Sequence, residues 1–193
     1  MNRMPHRPFI RYRFDERKAV QAAGLLLARS EGYLNYMKLI KLLYLADREH
    51  LDLYGAPIVG GAYAALPYGP VITEVKERIT ETRSDYWNEH ISPPADYEVK
   101  LLKDVGDDDL NDAEVEILEL IAKRYKDVHP FDLVNELHGG LPEWRDPAGS
   151  SFTIWVEDIL RALGKNDIEI AAAARLAADT ECTDRALLDV QEE

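Results

Sequence analysis

Cysteine is nearly absent from the chain, which has only Cys182 among its 193 residues. A single cysteine excludes an internal disulfide and leaves too few thiolates for a cysteine-based structural zinc site. A long apolar run is also missing. No stretch approaches the roughly 20 residues that a transmembrane helix needs, and no apolar core of a signal peptide follows Met1. We therefore expect a cytoplasmic protein that makes no membrane contact.

Motifs of nucleophilic, nucleotide and metal chemistry are missing as well. The sequence has no G-x-S-x-G, no Walker loop, no G-x-G-x-x-G and no H-E-x-x-H. None of the five histidines stands three or four residues from another, which is the spacing of a helical metal site. The sequence therefore predicts no catalytic residue, no metal and no cofactor. The five histidines are His6, His50, His90, His129 and His138.

One polar pair leaves an alternative open. Asp47 and His50 stand three residues apart on a predicted helix, so their side chains can hydrogen-bond, and a histidine oriented by a carboxylate is the start of a general base. The same pair can instead fix the helix within the fold. The alternative function is thus a small-ligand-binding protein or an enzyme with a pocket near these two residues.

Basic side chains are scarce relative to acidic ones, 23 against 36, which gives a formal net charge of −13. Residues 1–14 form a basic arm with four arginines and no acid, so the chain from Asp15 onward carries 19 basic and 36 acidic side chains, a net −17. An acidic body repels phosphate. Direct nucleic-acid binding is therefore disfavoured, and a basic protein partner is favoured.

Two segments are predicted to contact that partner. The first is the arm at Arg11, Tyr12 and Arg13, because arginine and aromatic side chains are enriched among the residues that anchor interfaces. Removal of residues 1–13 is expected to weaken binding of that partner without unfolding the body. The second is an acidic loop, which lacks the regular alternation of oxygen ligands of a calcium site. The loop residues are Asp107, Asp108 and Asp109.

The most distinctive stretch runs from Asn35 to Val71. Its first half predicts a helix over about 36–54, with Asn35 as the N-terminal cap and Gly55 in the left-handed conformation that ends a helix. One polar row runs along this helix, and the rest of its circumference is almost wholly apolar, so we expect neighbours on most sides. The row consists of Lys38, Lys41, Arg48 and Asp52.

The remaining periodicity predicts a mainly α (α+β) fold, with about six or seven helices packed around the buried central helix. Apolar residues at helical spacing indicate helices over 15–30, 111–125, 130–140, 153–163 and 167–178, and Pro70 suits the first position of a helix that ends near residue 82. Gly24 is expected to let the first helix approach the central one closely. Alternating apolar residues on both sides of Pro93 and Pro94 predict a small antiparallel β-hairpin over about 86–104.

Four segments of the sequence carry a resemblance to a known family. They are KLIKLLYLADREHLDLYG (38–55) followed by the turn 68–71, LNDAEVEILELIAKRY (110–125), a histidine, proline and tryptophan pattern at 138–144, and EDILRALGK (157–165). In this order they resemble the Panacea domain, also called the SocA-like antitoxin domain, of bacteria and their phages. The family signature falls on Lys41, Tyr44, Tyr54, Gly69, Pro70, His138 and Trp144.

The resemblance implies an antitoxin, which is a non-enzymatic protein that binds and neutralises a cognate protein toxin encoded by the adjacent gene. It implies three segments: a basic arm (1–14), the Panacea domain (15–165), and a C-terminal helix with an acidic tail (166–193). A phage-encoded proteolytic adaptor or regulator is a further alternative. Family members act on toxins of several unrelated classes, so the resemblance does not name the toxin.

Overall fold

The computed structural model describes residues 10–82 and 84–191, the last eight of them by their backbone alone. This part of the chain forms eight helices and two small antiparallel sheets, so the prediction of a mainly α fold is confirmed. The helices are α1 (Glu16–Ala28), α2 (Tyr36–Tyr54), α3 (Thr73–Thr80), α4 (Asp85–His90), α5 (Asp112–Tyr125), α6 (Pro130–Gly140), α7 (Val156–Ala162) and α8 (Asp167–Gln191). The strands are β1 (Tyr33–Asn35), β2 (Tyr63–Leu66), β3 (Gly69–Ile72), β4 (Glu98–Lys100) and β5 (Phe152–Ile154).

The central helix α2 begins and ends at the predicted residues. The Asn35 side chain accepts hydrogen bonds from the amides of Met37 and Lys38, and Gly55 closes the helix at φ 74°. Most of α2 is buried; Leu43 and Tyr44, for example, expose none of their surface. α1, α3, α5, α6 and α7 all contact it. The predicted role of this helix as the centre of the core is confirmed.

The glycine of α1 serves a different neighbour from the expected one. A Cβ atom on Gly24 would lie 2.7 Å from Cγ2 of Val105 and 3.7 Å from Cδ1 of Leu101. Gly24 therefore allows the loop after β4 to approach α1 closely, and the prediction that Gly24 faces the central helix is wrong. α1 itself is capped by Asp15, whose carboxylate accepts from the amide of Lys18.

The segment after α2 folds as a hairpin. β2 pairs antiparallel with β3 from Tyr63↔Ile72 to Leu66↔Gly69, and β5 pairs with the other side of β2. Pro70 thus lies in a strand, and the prediction that it opens a helix is wrong. β3 is an edge strand, where the missing N–H of proline leaves no sheet hydrogen bond unmade. The predicted helix over 153–163 likewise loses its first residues to β5 and begins at Val156.

The predicted hairpin over 86–104 is only partly present. The prediction of its first strand is wrong, because residues 85–90 form α4, and the Ser84 side chain caps this helix by accepting from the amide of Trp87. Trp87 and Ile91 are both fully buried, and their spacing of four residues suits one face of a helical turn as well as it suits strand alternation. The antiparallel pairing survives further on, at Ile91↔Leu101 and Ala95↔Glu98, and β4 pairs with β1.

The second half of the chain follows its capping signals. Asn111 and Glu114 form the predicted capping box of α5, and Pro130 takes the first turn of α6. Asn166 caps α8, but the predicted end near residue 178 is wrong, since α8 continues to Gln191. None of the helices in the described residues has the length and apolar character that crossing a membrane requires.

Candidate functional site

Six of the seven signature residues meet at the β2–β3 turn. Leu66 and Gly69 close this two-residue turn, and Gly69 has a φ of 101°, in the region that favours glycine. A Cβ atom there would lie 3.5 Å from Cε and Nζ of Lys41 and 3.9 Å from Cδ2 of His138. The backbone conformation therefore favours glycine, whereas a Cβ atom here would make only ordinary van der Waals contacts with these two side chains.

Lys41 pins the turn to the central helix. Its side chain is 2% exposed, and its Nζ donates a 2.9 Å hydrogen bond to the carbonyl oxygen of Pro70. Burial lowers the pKa of Lys41 to about 7, because the charged ammonium loses its hydration. The predicted polar row of α2 therefore contains a buried lysine with a hydrogen-bond partner in β3.

His138 and Trp144 cover the other side of the turn. Their rings are stacked with centroids 3.9 Å apart and planes 5° from parallel, and the indole N–H of Trp144 donates to the carbonyl oxygen of Leu66 at 3.1 Å. Burial and then the charge of Lys41 lower the pKa of His138. The stack and this hydrogen bond hold the loop after α6 against the hairpin.

Glu143 completes the site, and sequence reasoning did not select it. Its Oε1 accepts from the hydroxyl of Tyr44 at 2.9 Å and from Nε of Arg48 at 2.7 Å, and the carboxylate is fully buried. Burial and the Glu143 charge raise the pKa of Tyr44. The signal for Glu143 was its place beside Trp144 combined with an arginine in the polar row of α2, which needed a buried partner.

The polar row of α2 therefore consists of anchors to four separate segments. Lys38 donates to the carbonyl oxygens of Lys126 and Val128, and Asp52 pairs with Lys165 at 2.7 Å. Lys41 and Arg48 tie down β3 and the loop after α6 in the same way. The row organises the fold and is not a solvated face.

Tyr54 is the signature residue that lies apart from this cluster. It stands at the end of α2, about 20 Å along the helix from Lys41 at 1.5 Å per residue. Its ring is 52% exposed and packs against His50, with centroids 4.7 Å apart.

Asp47 and His50 have separate partners. The Asp47 carboxylate is fully buried, and it accepts hydrogen bonds from three successive amides, Ile58 to Gly60, at 2.8–3.1 Å and from the hydroxyl of Tyr63 at 2.8 Å. Burial raises the pKa of Asp47 to about 7, while the four donors act to lower it. Nδ1 of His50 contacts the carbonyl oxygen of Ala56. The two residues fix the segment that follows α2, as the structural interpretation of the pair requires.

The described part of the arm is built into the fold. Ile10 and Tyr12 are buried; the Ile10 amide donates to Glu157, and the Tyr12 hydroxyl donates to the carbonyl oxygens of Gly55 and Ala173. The Tyr12 carbonyl oxygen accepts from the amide of Gly61 at 3.1 Å. Ile10 and Tyr12 therefore belong to the core, so removal of residues 1–13 would take away core packing as well as the exposed arginines.

Arg11 and Arg13 point to the opposite side of this strand-like segment and are exposed. They border a groove of about 590 Å³, whose other wall is formed by Ala177, Thr180 and Glu181 of α8. Two of the three predicted contact residues of the arm thus lie beside a concave surface. The third, Tyr12, lines the groove too, but its hydroxyl is held within the protein.

The acidic loop also combines exposed residues with one that is held by the fold. Asp107 and Asp108 are exposed, whereas Asp109 is half-buried. The Asp109 carboxylate accepts from Arg17 at 2.9 Å and from Gln21 at 3.0 Å, which ties the loop to α1. Only the first two aspartates present carboxylates to an approaching partner.

Comparison with known proteins identifies the family. A search of curated proteins and a search of solved structures returned no match. The family model described as "Antitoxin SocA-like, Panacea domain" matches residues 39–145, which is more than half of the chain and contains all seven signature residues. The match lies within the predicted domain of 15–165 and covers α2 from Leu39 onward, both strands of the hairpin and the loop that carries Glu143 and Trp144. The chain therefore belongs to the SocA-like antitoxin family defined by the Panacea domain.

Proposed function

We propose that this protein is the antitoxin of a bacterial or phage toxin–antitoxin pair and that it neutralises its toxin by direct binding in the cytoplasm. The observation that carries the proposal is the family match over residues 39–145. Binding, and not a reaction, is the expected mode of action. It is supported by the signature cluster, because the polar atoms of Lys41, Tyr44 and Trp144 make hydrogen bonds to partners within the chain.

The acidic charge of this protein indicates the charge of its toxin. A body of net charge −17 attracts a basic protein and accelerates its capture, since long-range complementarity raises association rates. The toxin, encoded by the adjacent gene, is therefore expected to be basic. Direct binding to nucleic acid is disfavoured by the same charge.

The groove beside the arm is the first proposed contact surface. Arg11 and Arg13 are exposed there on an otherwise acidic body, and the arm is held in place by Ile10 and Tyr12, so the two guanidiniums are presented from an ordered backbone. The exposed pair Asp107 and Asp108 is the second.

Co-expression with the product of the adjacent gene tests the function. We expect the neighbour to arrest growth alone, and the wild-type chain to restore growth and to co-purify with it. A neighbour that is harmless alone, or one that remains toxic and unbound in the presence of this chain, contradicts the proposal.

Charge substitutions test the surfaces better than truncation, because truncation removes core residues. The double variant Arg11→Ala/Arg13→Ala keeps Tyr12 and removes both guanidiniums, so it should weaken co-purification. Asp107→Asn/Asp108→Asn should do so to a smaller extent. Glu98→Gln, half-buried in β4, is a matched control for a change of charge outside both surfaces. Unchanged affinity in either double variant removes that surface from the proposal.

A further inference from the structure

Three aromatic rings form an exposed cluster beside the signature site. Tyr68 and Phe131 are 60% and 56% exposed, and their rings meet edge to face with centroids 6.3 Å apart. The ring of His129, also exposed, lies roughly parallel to that of Phe131, with centroids 6.0 Å apart and planes at 24°. We call these three residues the aromatic platform. Contiguous exposed aromatic surface on a protein indicates an interaction site, whereas single exposed apolar residues do not.

The platform is ordered by the signature residues. Tyr68 is at the tip of the β2–β3 turn, and that turn is held by Lys41 on the carbonyl oxygen of Pro70 and by Trp144 on the carbonyl oxygen of Leu66. A rigid platform loses little conformational entropy when a partner binds.

The other two rings are fixed by the start of α6. Nδ1 of His129 accepts from the amide of Phe131 at 3.3 Å, which makes His129 the N-terminal cap of the helix and orients its ring. With this cap in place, the His129 and Phe131 rings at the start of α6 lie beside the Tyr68 ring of the hairpin. The family site thus assembles two separate segments into one surface.

The charges beside the platform identify its partner. Asp127 and Asp132 flank the His129 and Phe131 segment in the sequence, and both are exposed, although the charge of Asp127 also acts on Lys38. The Asp132 carboxylate has no hydrogen bond or ion pair within the described residues, and it offsets the positive end of the α6 dipole. Ring faces with adjacent carboxylates suit a guanidinium, which can stack on the ring and pair with the acid at the same time.

We propose that the aromatic platform docks an arginine-bearing segment of the toxin. A second copy of this chain is disfavoured as the occupant, because two chains of net charge −13 repel each other. The inference rests on the proposed antitoxin function and adds to it a contact surface and the chemistry of the segment that the toxin presents. This surface is separate from the groove beside the arm.

Tyr68→Ala/Phe131→Ala tests the platform in the full-length chain. With the purified product of the adjacent gene as the probe, we expect the dissociation constant to rise by about 30-fold or more, the scale set by truncation of anchor residues. Leu120→Ala/Ile168→Ala is the matched control, because both residues are at least half exposed and lie on other helices. The control should bind like the wild type. Both double variants should unfold at the wild-type urea midpoint.

A second variant tests the arginine chemistry with the rings intact. Asp127→Lys/Asp132→Lys should weaken binding more at low than at high salt, because it replaces attraction by repulsion. Binding of both platform variants within threefold of the wild type overturns the inference while leaving the antitoxin function standing.

Two further results also overturn it. Failure of the wild type itself to bind overturns the proposed function and the platform with it. A wild-type dimer that dissociates on Tyr68→Ala/Phe131→Ala in sedimentation analysis assigns the platform to a second copy and overturns the toxin contact.

Discussion

Replacement of Lys41 by methionine should change how the stability of the protein depends on pH. The ammonium of Lys41 is 2% exposed and has one hydrogen-bond partner, the carbonyl oxygen of Pro70. Burial lowers its pKa from 10.5 to about 7 in the folded protein. Methionine has a similar length and no charge, so Lys41→Met removes the titration and keeps most of the packing.

The sign of the effect follows from proton binding. Between pH 7 and pH 10.5 the unfolded chain binds a proton at Lys41 that the folded chain has released, so the wild-type free energy of unfolding rises with pH in this interval. Integration of the shift between pH 7.5 and pH 10 gives a gain of about 3 kcal/mol. The methionine variant lacks this gain. The variant also leaves the carbonyl oxygen of Pro70 without its donor, which lowers the free energy of unfolding by about 1–3 kcal/mol. This loss is the same at every pH, so it does not change how stability depends on pH.

Urea unfolding of the wild type and of Lys41→Met at pH 7.5, 8.5 and 10 provides the measurement. The difference in unfolding free energy between the two proteins should move by about 3 kcal/mol in favour of the wild type as pH rises. Tyrosines that titrate in this range are present in both proteins and cancel. Work above pH 7.5 also avoids the titration of His138, whose pKa depends on Lys41.

Lys123→Met, at an exposed lysine of α5, is the control and should give a difference that does not vary with pH. Parallel pH profiles for the wild type and Lys41→Met, within about 1 kcal/mol, would refute the buried, weakly protonated state of Lys41.

Three further substitutions test the scaffold. Leu43→Ala, at a fully buried position of α2, should lower the free energy of unfolding by about 2–5 kcal/mol in urea. Asp47→Asn turns one acceptor oxygen into a donor that faces donors, including the hydroxyl of Tyr63, and should cost about 2–5 kcal/mol in the same assay. Gly60→Ala should lower the melting temperature, because the glycine has a φ of 71° and a Cβ would lie 2.6 Å from the carbonyl oxygen of Arg13.

Each of these has a defined contrary outcome. A cost below about 1 kcal/mol for Leu43→Ala would show that α2 is not the centre of the core. An unchanged free energy for Asp47→Asn would show that the three amides after α2 do not depend on the carboxylate. Gly149→Ala isolates backbone strain, since Gly149 has a φ of 83° and no atom within 4 Å of a Cβ. Equal effects at Gly60 and Gly149 would remove the steric argument.

The elements that the sequence predicted well are those with local signals. The Asn35 cap, the left-handed Gly55 and the capping box of Asn111 and Glu114 each act over three or four residues, and each forms as expected. Such signals need no knowledge of distant neighbours.

The errors arose where two local structures fit the same residues. Trp87 and Ile91 match strand alternation and helical spacing equally, and the Ser84 cap decides for the helix. Pro70 suits the first turn of a helix and also an edge strand, and pairing with β2 decides for the strand. Tertiary contact, which a single sequence does not display, made both choices.

The candidate site was predictable as a set of residues but not as an arrangement. The resemblance names Lys41, Gly69 and Trp144, yet their meeting depends on a hairpin whose second strand the sequence predicts as the start of a helix. Tyr12 was assigned to a partner because its type is frequent at interfaces, whereas alternation along an extended segment turns it inward and Arg11 outward.

Throughout the family region, buried residues hold the segments together and exposed residues form the surface. The polar row of α2 ties four segments to one helix, and two of these ties, through Lys41 and Arg48, fix the hairpin and the loop of Trp144. The hairpin then determines where Tyr68 stands, and the start of α6 places Phe131 beside it. If the platform binds the toxin as proposed, the signature residues act on recognition only through the positions of these exposed neighbours. A substitution such as Tyr68→Ala should accordingly affect binding and leave unfolding unchanged, and Lys41→Met should affect unfolding first.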